Sequence, residues 1–232
     1  MHIAHGLNTI HEKQLIHRDL HIGNILVINM NIKMYTRITD MGLCKPADYD
    51  NTKNGIFGVL PYVAPEILRG QNYTKASDIY SFGIIMYEVI SGLPPYHDVS
   101  HDEFLAIKIC SGLRPRFNIK VPQLIVNLIK KCLDANPLNR PTASELKEIL
   151  YKWWSDFSKL TELQEQIKEA DEINNNLPTS SSLPSTNLSY ETHSEAIYTS
   201  RLLNFNNLPE PTNSNDYYEQ NDNIISMKFS GN

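Results

Sequence analysis

The stretch His17-Arg18-Asp19-Leu20-His21-Ile22-Gly23-Asn24 decides how the rest of the chain is read. It sets a carboxylate, Asp19, and an amide, Asn24, in a short polar loop between two apolar segments, Leu15-Ile16 and Ile25-Leu26-Val27, whose residue types favour strands. Further along, another apolar segment ends in a carboxylate followed closely by glycine, Ile38-Thr39-Asp40-Met41-Gly42. A hairpin between these segments would bring Asp19, Asn24 and Asp40 to one edge. Two oxygen ligands there suit Mg²⁺, with the third group facing a hydroxyl.

Ala64-Pro65-Glu66 completes a set of three motifs in order. The first resembles the catalytic loop H-R-D-L-x-x-x-N of eukaryotic protein kinases, the second their metal-binding loop D-F-G, and the third their A-P-E. The fold this resemblance implies is mainly α: a kinase-like large lobe with short β-hairpins at the catalytic and metal-binding loops, followed by a disordered tail. It implies transfer of a phosphoryl group from ATP to a protein hydroxyl, with Asp19 orienting or deprotonating the acceptor. Asn24 and Asp40 would hold Mg²⁺ against the phosphates, and Leu26 would support the adenine ring. His17 would pack behind the metal-binding loop, Asp78 would accept the N–H groups of the catalytic loop, and Glu66 would pair with Arg140.

Three positions depart from the kinase pattern. His21 stands where serine/threonine kinases carry a lysine that touches the transferred phosphate, Val59 where they carry the threonine that contacts it, and Met41 where phenylalanine is usual. Imidazole is a weak substitute for a fixed ammonium, so His21 is a candidate catalytic residue of altered character, or a mark of decayed catalysis. The segments Gly92-Leu93-Pro94-Pro95-Tyr96 and Asn136-Pro137-Leu138-Asn139-Arg140-Pro141-Thr142 are most similar to the tyrosine-kinase-like group of serine/threonine kinases. Only residues 1–16 precede the catalytic loop, and they hold no glycine-rich loop, strand lysine or hinge. The expectation is therefore a large lobe without its small partner, weak or inactive when isolated, with apolar surface left open near Leu26.

The chain has 232 residues, 41% of them hydrophobic, enough for one core and a tail. Its formal charge of -5 is uneven, because from Asp171 onward eight acidic residues face two basic ones. Neither half has the footprint of a nucleic-acid binder. Cys44, Cys110 and Cys132 lack metal-like or paired spacing and are expected to be reduced thiols. No apolar run is long enough to span a bilayer and no signal core opens the chain, so the cytoplasm is the default location. His2 and His5, one helical turn apart, lack the carboxylate or cysteine that would complete a zinc site.

Organisation follows from periodicity. Ile3, Leu7 and Ile10 mark an amphipathic opening helix. The segment from Ser77 to Ser91 is apolar on nearly every face, so it has to be interior, and Asp78 at its start doubles as a first-turn acid. Helices are expected over 102–110 and 124–133. Thr142 and Glu145 form a capping box ahead of a helix burying Leu146, Ile149, Leu150, Trp153 and Trp154. The lobe is assigned to 1–155, a solvated helical extension with a thin stripe of Leu160, Leu163 and Ile167 to 156–173, and a mostly disordered Asn/Ser/Pro-rich tail to 174–232. In that tail the apolar patch from Arg201 to Phe205 is read as loosely collapsed, with docking to the body or to a regulatory protein partner the alternative. Tyr49 and Thr52, in the loop after Asp40, are candidate phosphorylation sites that Arg18 would pair with.

Two other readings stand beside a kinase with a protein substrate. One is a pseudokinase-like module that binds partners without catalysis. The other is a small-molecule phosphotransferase of the aminoglycoside or choline type, whose loop often carries histidine at the His21 position.

Overall fold

The computed structural model describes residues 1–30, 33–49, 55–155, 161–176, 190–214 and 224–225. Helix α1 (His2–Glu12) buries Ala4 and Leu7 completely on the face their spacing defines, and Met1 gives it no side-chain cap. Strands follow on either side of the polar loop. β1 (Leu15–Ile16) pairs antiparallel with β4 (Lys45–Pro46), while β2 (Ile25–Met30) and β3 (Lys33–Ile38) form the expected hairpin, Ile25 facing Ile38 and Leu26 facing Arg37. After β5 (Ile56–Gly58) comes the short α2 (Pro65–Leu68), with proline at its start where no N–H is needed.

Helix α3 (Lys75–Ser91) is the axis of the body. Thr74 caps it by a reciprocal box with Ser77, and Gly92 ends it in the left-handed conformation (φ 68°) that a side chain resists. Tyr80, Ile79, Ile84 and Ile85 lie within 1% of complete burial, as an all-round apolar helix requires, and only at its far end does Val89 emerge. Around it stand α4 (Glu103–Cys110), capped by Asp102, the short β6 (Val121–Pro122), α5 (Gln123–Cys132) and α6 (Ala143–Ser155). α5 packs so closely on α3 that a Cβ added to Gly83 would meet Cys132 Cβ at 2.7 Å and Leu133 Cδ2 at 2.9 Å. Two-stranded pairs and these helices make the fold mainly α, with the features of a kinase lobe.

The capping box of α6 is present, Thr142 N–H donating to Glu145 Oε2 (2.7 Å) and Glu145 N–H to Thr142 Oγ1 (3.2 Å). Its buried face is narrower than the periodicity suggests. Leu146 is buried and Ile149, Leu150 and Trp153 pack partly against the core, but Trp154 is 65% exposed. At about 100° per residue Trp154 lies about 80° round from Leu146, off the edge of the stripe.

Two further expectations change. Helix α7 (Thr161–Asn176) is docked as well as solvated: Leu163 and Ala170 are buried, the Asn174 amide exchanges hydrogen bonds with the Lys120 backbone (2.7 and 3.0 Å), and Gln166 accepts from Leu124 N–H. Leu160 lies outside the described residues. In place of a loosely collapsed patch, Arg201–Leu203 forms β7, antiparallel to β5, and residues 190–214 run along the body. Polar groups did this: the backbone of that segment finds partners on the lobe, which apolar periodicity does not report. β8 (Ile224–Ile225) pairs in parallel with β6.

The three cysteines are free, and burial pushes the thiols of Cys110 and Cys132 up to about 11 and about 12, so these two are inert core residues. No described helix is long and apolar enough to cross a membrane. Gly83→Val places branched carbons where α5 already sits; urea unfolding is expected to show a loss of about 1–3 kcal/mol from overpacking.

Candidate active site

The polar loop is held from beneath by Asp78, in the first turn of α3. Its Oδ2 accepts from His17 N–H (2.8 Å) and its Oδ1 from Arg18 N–H (2.9 Å), and His11 Nε2 lies 2.9 Å from Oδ2. The carboxylate is 1% exposed, so these donors replace its water. Arg18 takes a left-handed backbone (φ 74°), which costs free energy for any residue with a Cβ and persists because Asp78 grips the amides of His17 and Arg18. His11 is a residue that sequence reasoning missed. A histidine in register on the inner face of α1, beside an acid-bearing buried helix, was the available signal.

Further along the loop, the buried His17 ring turns toward β3: Nε2 lies 3.0 Å from the Thr39 carbonyl, which can only accept, so Nε2 carries the proton. Thr39 N–H and Oγ1 both donate to the Asn24 carbonyl (2.9 and 3.0 Å), and Asn24 Nδ2 donates to the Asp19 carbonyl (2.9 Å). These bonds join the loop to the end of the hairpin, so Asp19, Asn24 and Asp40 share one end of the structure. Asp19 and Asn24 are each 8% exposed. Asp40 is exposed, also left-handed (φ 55°), and accepts from Gly42 N–H (3.1 Å). Leu26 and Val27 on β2 are 51% and 53% exposed, an apolar surface beside the site.

His21 lies among these acids, its Nε2 3.9 Å from Asp19 Oδ2 and its ring 6.0 Å from that of Tyr62. Burial lowers its pKa more than the attraction of Asp19 and Asp40 raises it, with His17 adding to the lowering. Burial thus biases the ring toward its neutral form. Val59, behind it, is 1% exposed. Beneath Tyr62, Glu88 accepts its hydroxyl proton, and burial raises the pKa of both groups.

Glu66 and Arg140 form a bidentate buried pair, Nη1–Oε1 and Nη2–Oε2 both 2.7 Å, with Arg140 also donating to the carbonyls of Ala76 (3.0 Å) and Asp134 (2.8 Å). The Arg18 guanidinium stacks 4.4 Å from the Tyr73 ring centroid and 5.8 Å from that of Tyr49. Tyr49 is 40% exposed, and Thr52 lies outside the described residues. Among the described residues no cluster of three His, Cys, Asp or Glu side chains is set to hold a metal, His2 and His5 included. An amide oxygen and one exposed carboxylate nevertheless suit Mg²⁺, which takes few protein ligands and completes its shell with water and phosphate.

Comparison with known proteins defines the class. The model of the protein kinase domain matches residues 1–152, and the chain belongs to that family. Several of the proteins it is similar to are named serine/threonine-protein kinases. It is 34% identical over 145 residues to a probable serine/threonine-protein kinase of Dictyostelium discoideum, covering 62% of this chain and 9% of that one. It is 34% identical over 150 residues to a calcium and calcium/calmodulin-dependent serine/threonine-protein kinase of Oryza sativa (62% and 28%). To a serine/threonine-protein kinase of Streptomyces coelicolor it is 36% identical over 146 residues (62% and 26%). The chain thus spans under a third of the length of these relatives.

Two consequences are measurable. Arg140→Ala leaves the Glu66 charge buried without its partner and is expected to cost about 3–5 kcal/mol in chemical unfolding, with Arg140→Lys recovering only part because the fork is lost. Burial also lowers the pKa of His101 below the usual 6.5, as it does for His21, so the unfolded chain binds more protons below that pH. Stability should therefore fall as pH drops below about 6.5, and His21→Gln should flatten that slope in denaturant titrations.

Proposed function

We propose that this chain supplies the large lobe of an ATP-dependent serine/threonine protein kinase, similar to the tyrosine-kinase-like group. The observation that carries the reading is the convergence of Asp19, Asn24 and Asp40 on a loop whose backbone Asp78 clamps. In this role Asp19 receives the acceptor hydroxyl and takes its proton as the phosphoryl group moves. Asn24, its Nδ2 committed to the loop backbone, would offer its amide oxygen to a bound Mg²⁺, and the open carboxylate of Asp40 would be the second protein ligand. Bound there, the cation would supply positive charge against the triphosphate. Leu26 offers the adenine ring its apolar floor. The protein supplies alignment and charge, which is most of what this reaction needs.

His21 gives a second reading its support. A neutral ring in the place of a fixed cation leaves the transferred phosphate with one positive charge fewer. That favours slow transfer, or a pseudokinase-like module whose lobe binds protein partners without catalysis.

The test is transfer of labelled phosphate from ATP to a protein acceptor by the longest natural product that contains this chain. Asp19→Ala is expected to lower the rate by about 10²–10⁴. His21→Lys is expected to raise it. Transfer that ignores Asp19→Ala leaves the binding module as the function.

A further inference from the structure

Residues 197–213 cross the face of the lobe that carries Asp19, and they are fitted to it. The Tyr198 hydroxyl donates to the Pro95 carbonyl (3.0 Å), its ring standing edge-on to His101 (4.8 Å), and the Arg201 guanidinium donates to the His101 carbonyl. Leu203 and Leu208 are 4% and 8% exposed. Arg69 pairs with Glu210 and donates to the Leu208 carbonyl (3.3 Å), and Thr212 N–H donates to the Cys110 carbonyl (2.9 Å). The lobe leaves room for this path where it has no side chains. A Cβ on Gly55 would meet Leu202 Cδ1 at 2.7 Å, and one on Gly112 would come within 2.6 Å of Ser214 N.

Between these anchors lies the strand pair. β7 runs antiparallel to β5, Arg201 facing Gly58 and Leu203 facing Ile56. β5 has no other partner among the described strands, so without β7 it is an open edge of the kind on which extended peptides add as a strand. Its Gly58 end adjoins the site: a Cβ there would lie 3.8 Å from Asp19 Oδ1. In an antiparallel pair, the residue before Arg201 is carried past Gly58 toward Val59, which lines the same recess as Asp19 and Arg18. That residue is Ser200, and it is exposed.

We infer that the chain's own residues 200–203 lie on β5 as an extended acceptor peptide would, with Ser200 in the place of the acceptor hydroxyl. The inference rests on Asp19 being the group that receives that hydroxyl. The ligand class is an extended peptide, a hydroxyl residue followed by a long polar side chain and two aliphatic ones. Arg201 and Leu203 face the lobe, and Leu202, 58% exposed, faces away, as strand alternation demands. Being tethered, the tail competes at an effective concentration on the order of millimolar, so an outside acceptor enters only when the tail leaves.

The experiment uses the 232-residue chain, its Leu203→Asp variant, and a fluorescent synthetic peptide of residues 196–213. The variant is expected to bind the peptide at least roughly tenfold more tightly than the unaltered chain, as removal of a tethered competitor predicts. Its Ile56 and Gly58 amides, the ones on the β7 side of β5, are expected to lose hydrogen-exchange protection and to regain it with peptide. Glu210→Lys, a surface change that sets like charges at Arg69, is expected to act in the same direction without burdening the core. A peptide with phosphoserine at position 200 is expected to bind the Leu203→Asp chain roughly tenfold more weakly, through repulsion from Asp19 and Asp40, and Asp19→Asn to recover most of that loss. Equal peptide binding by tethered and released chains, unchanged protection of β5, or indifference to the phosphoserine overturns the inference. A chain that passes these tests yet transfers no phosphate to any acceptor sinks the catalytic reading and leaves the peptide site standing.

Discussion

The carboxylate of Asp78 is the point on which the site depends. It sits at the buried start of α3 with both oxygens spent on the loop above, holding His17 and Arg18 by their amides and the His11 ring from the side. A charge with so little water is tolerable only while those donors stay in place, so helix and loop stabilise each other. The left-handed backbone at Arg18 is the visible cost, of order 1–3 kcal/mol for such residues. With that kink, the chain enters the loop that carries Asp19 and Asn24 instead of continuing as a strand.

A second clamp converges on the same turn of helix. Arg140 bridges Glu66 of α2 to the Ala76 carbonyl of α3, and its guanidinium also lies 5.2 Å from the Tyr80 ring centroid, with Arg114 at 5.3 Å from that ring. The start of α3 thus anchors the loop from His17 to Asn24 on one side and the segment after β5 on the other. Relative placement of Asp19 and Gly58 follows from two buried carboxylates that share one scaffold. An interior helix suits this task because close packing at Gly83 and the cap at Thr74 leave it no freedom to slide.

An open strand edge beside a half-enclosed carboxylate is both an opportunity and a hazard. Unpaired backbone groups invite any extended chain, including another copy of the same protein. Here the edge of β5 is closed by residues of the same chain, and the closure is made by backbone pairing, two buried leucines and one ion pair. The outward pair Phe57 and Leu202 stays in solvent, so the contact is secured on one face only.

Much of this was legible in the sequence. Loop chemistry from His17 to Asn24, the acid before Gly42, the interior helix and the capping box at Thr142 are local patterns, and a local pattern is written in consecutive residues. Other features were not. Trp154 reads as buried because periodicity marks a stripe without saying how wide its partner is. Residues 201–203 read as a loose patch because strand pairing needs a second strand, and β5 lies far away in the chain. The lowered pKa of His21 could not be read from its type, because it comes from burial, which no single residue encodes, outweighing Asp19 and Asp40. Residue types and their spacing determined which groups are present and which elements hold them. Only the tertiary structure decided how dry each group is and which distant backbone lies beside it, because desolvation and strand pairing arise between segments that the chain itself keeps apart.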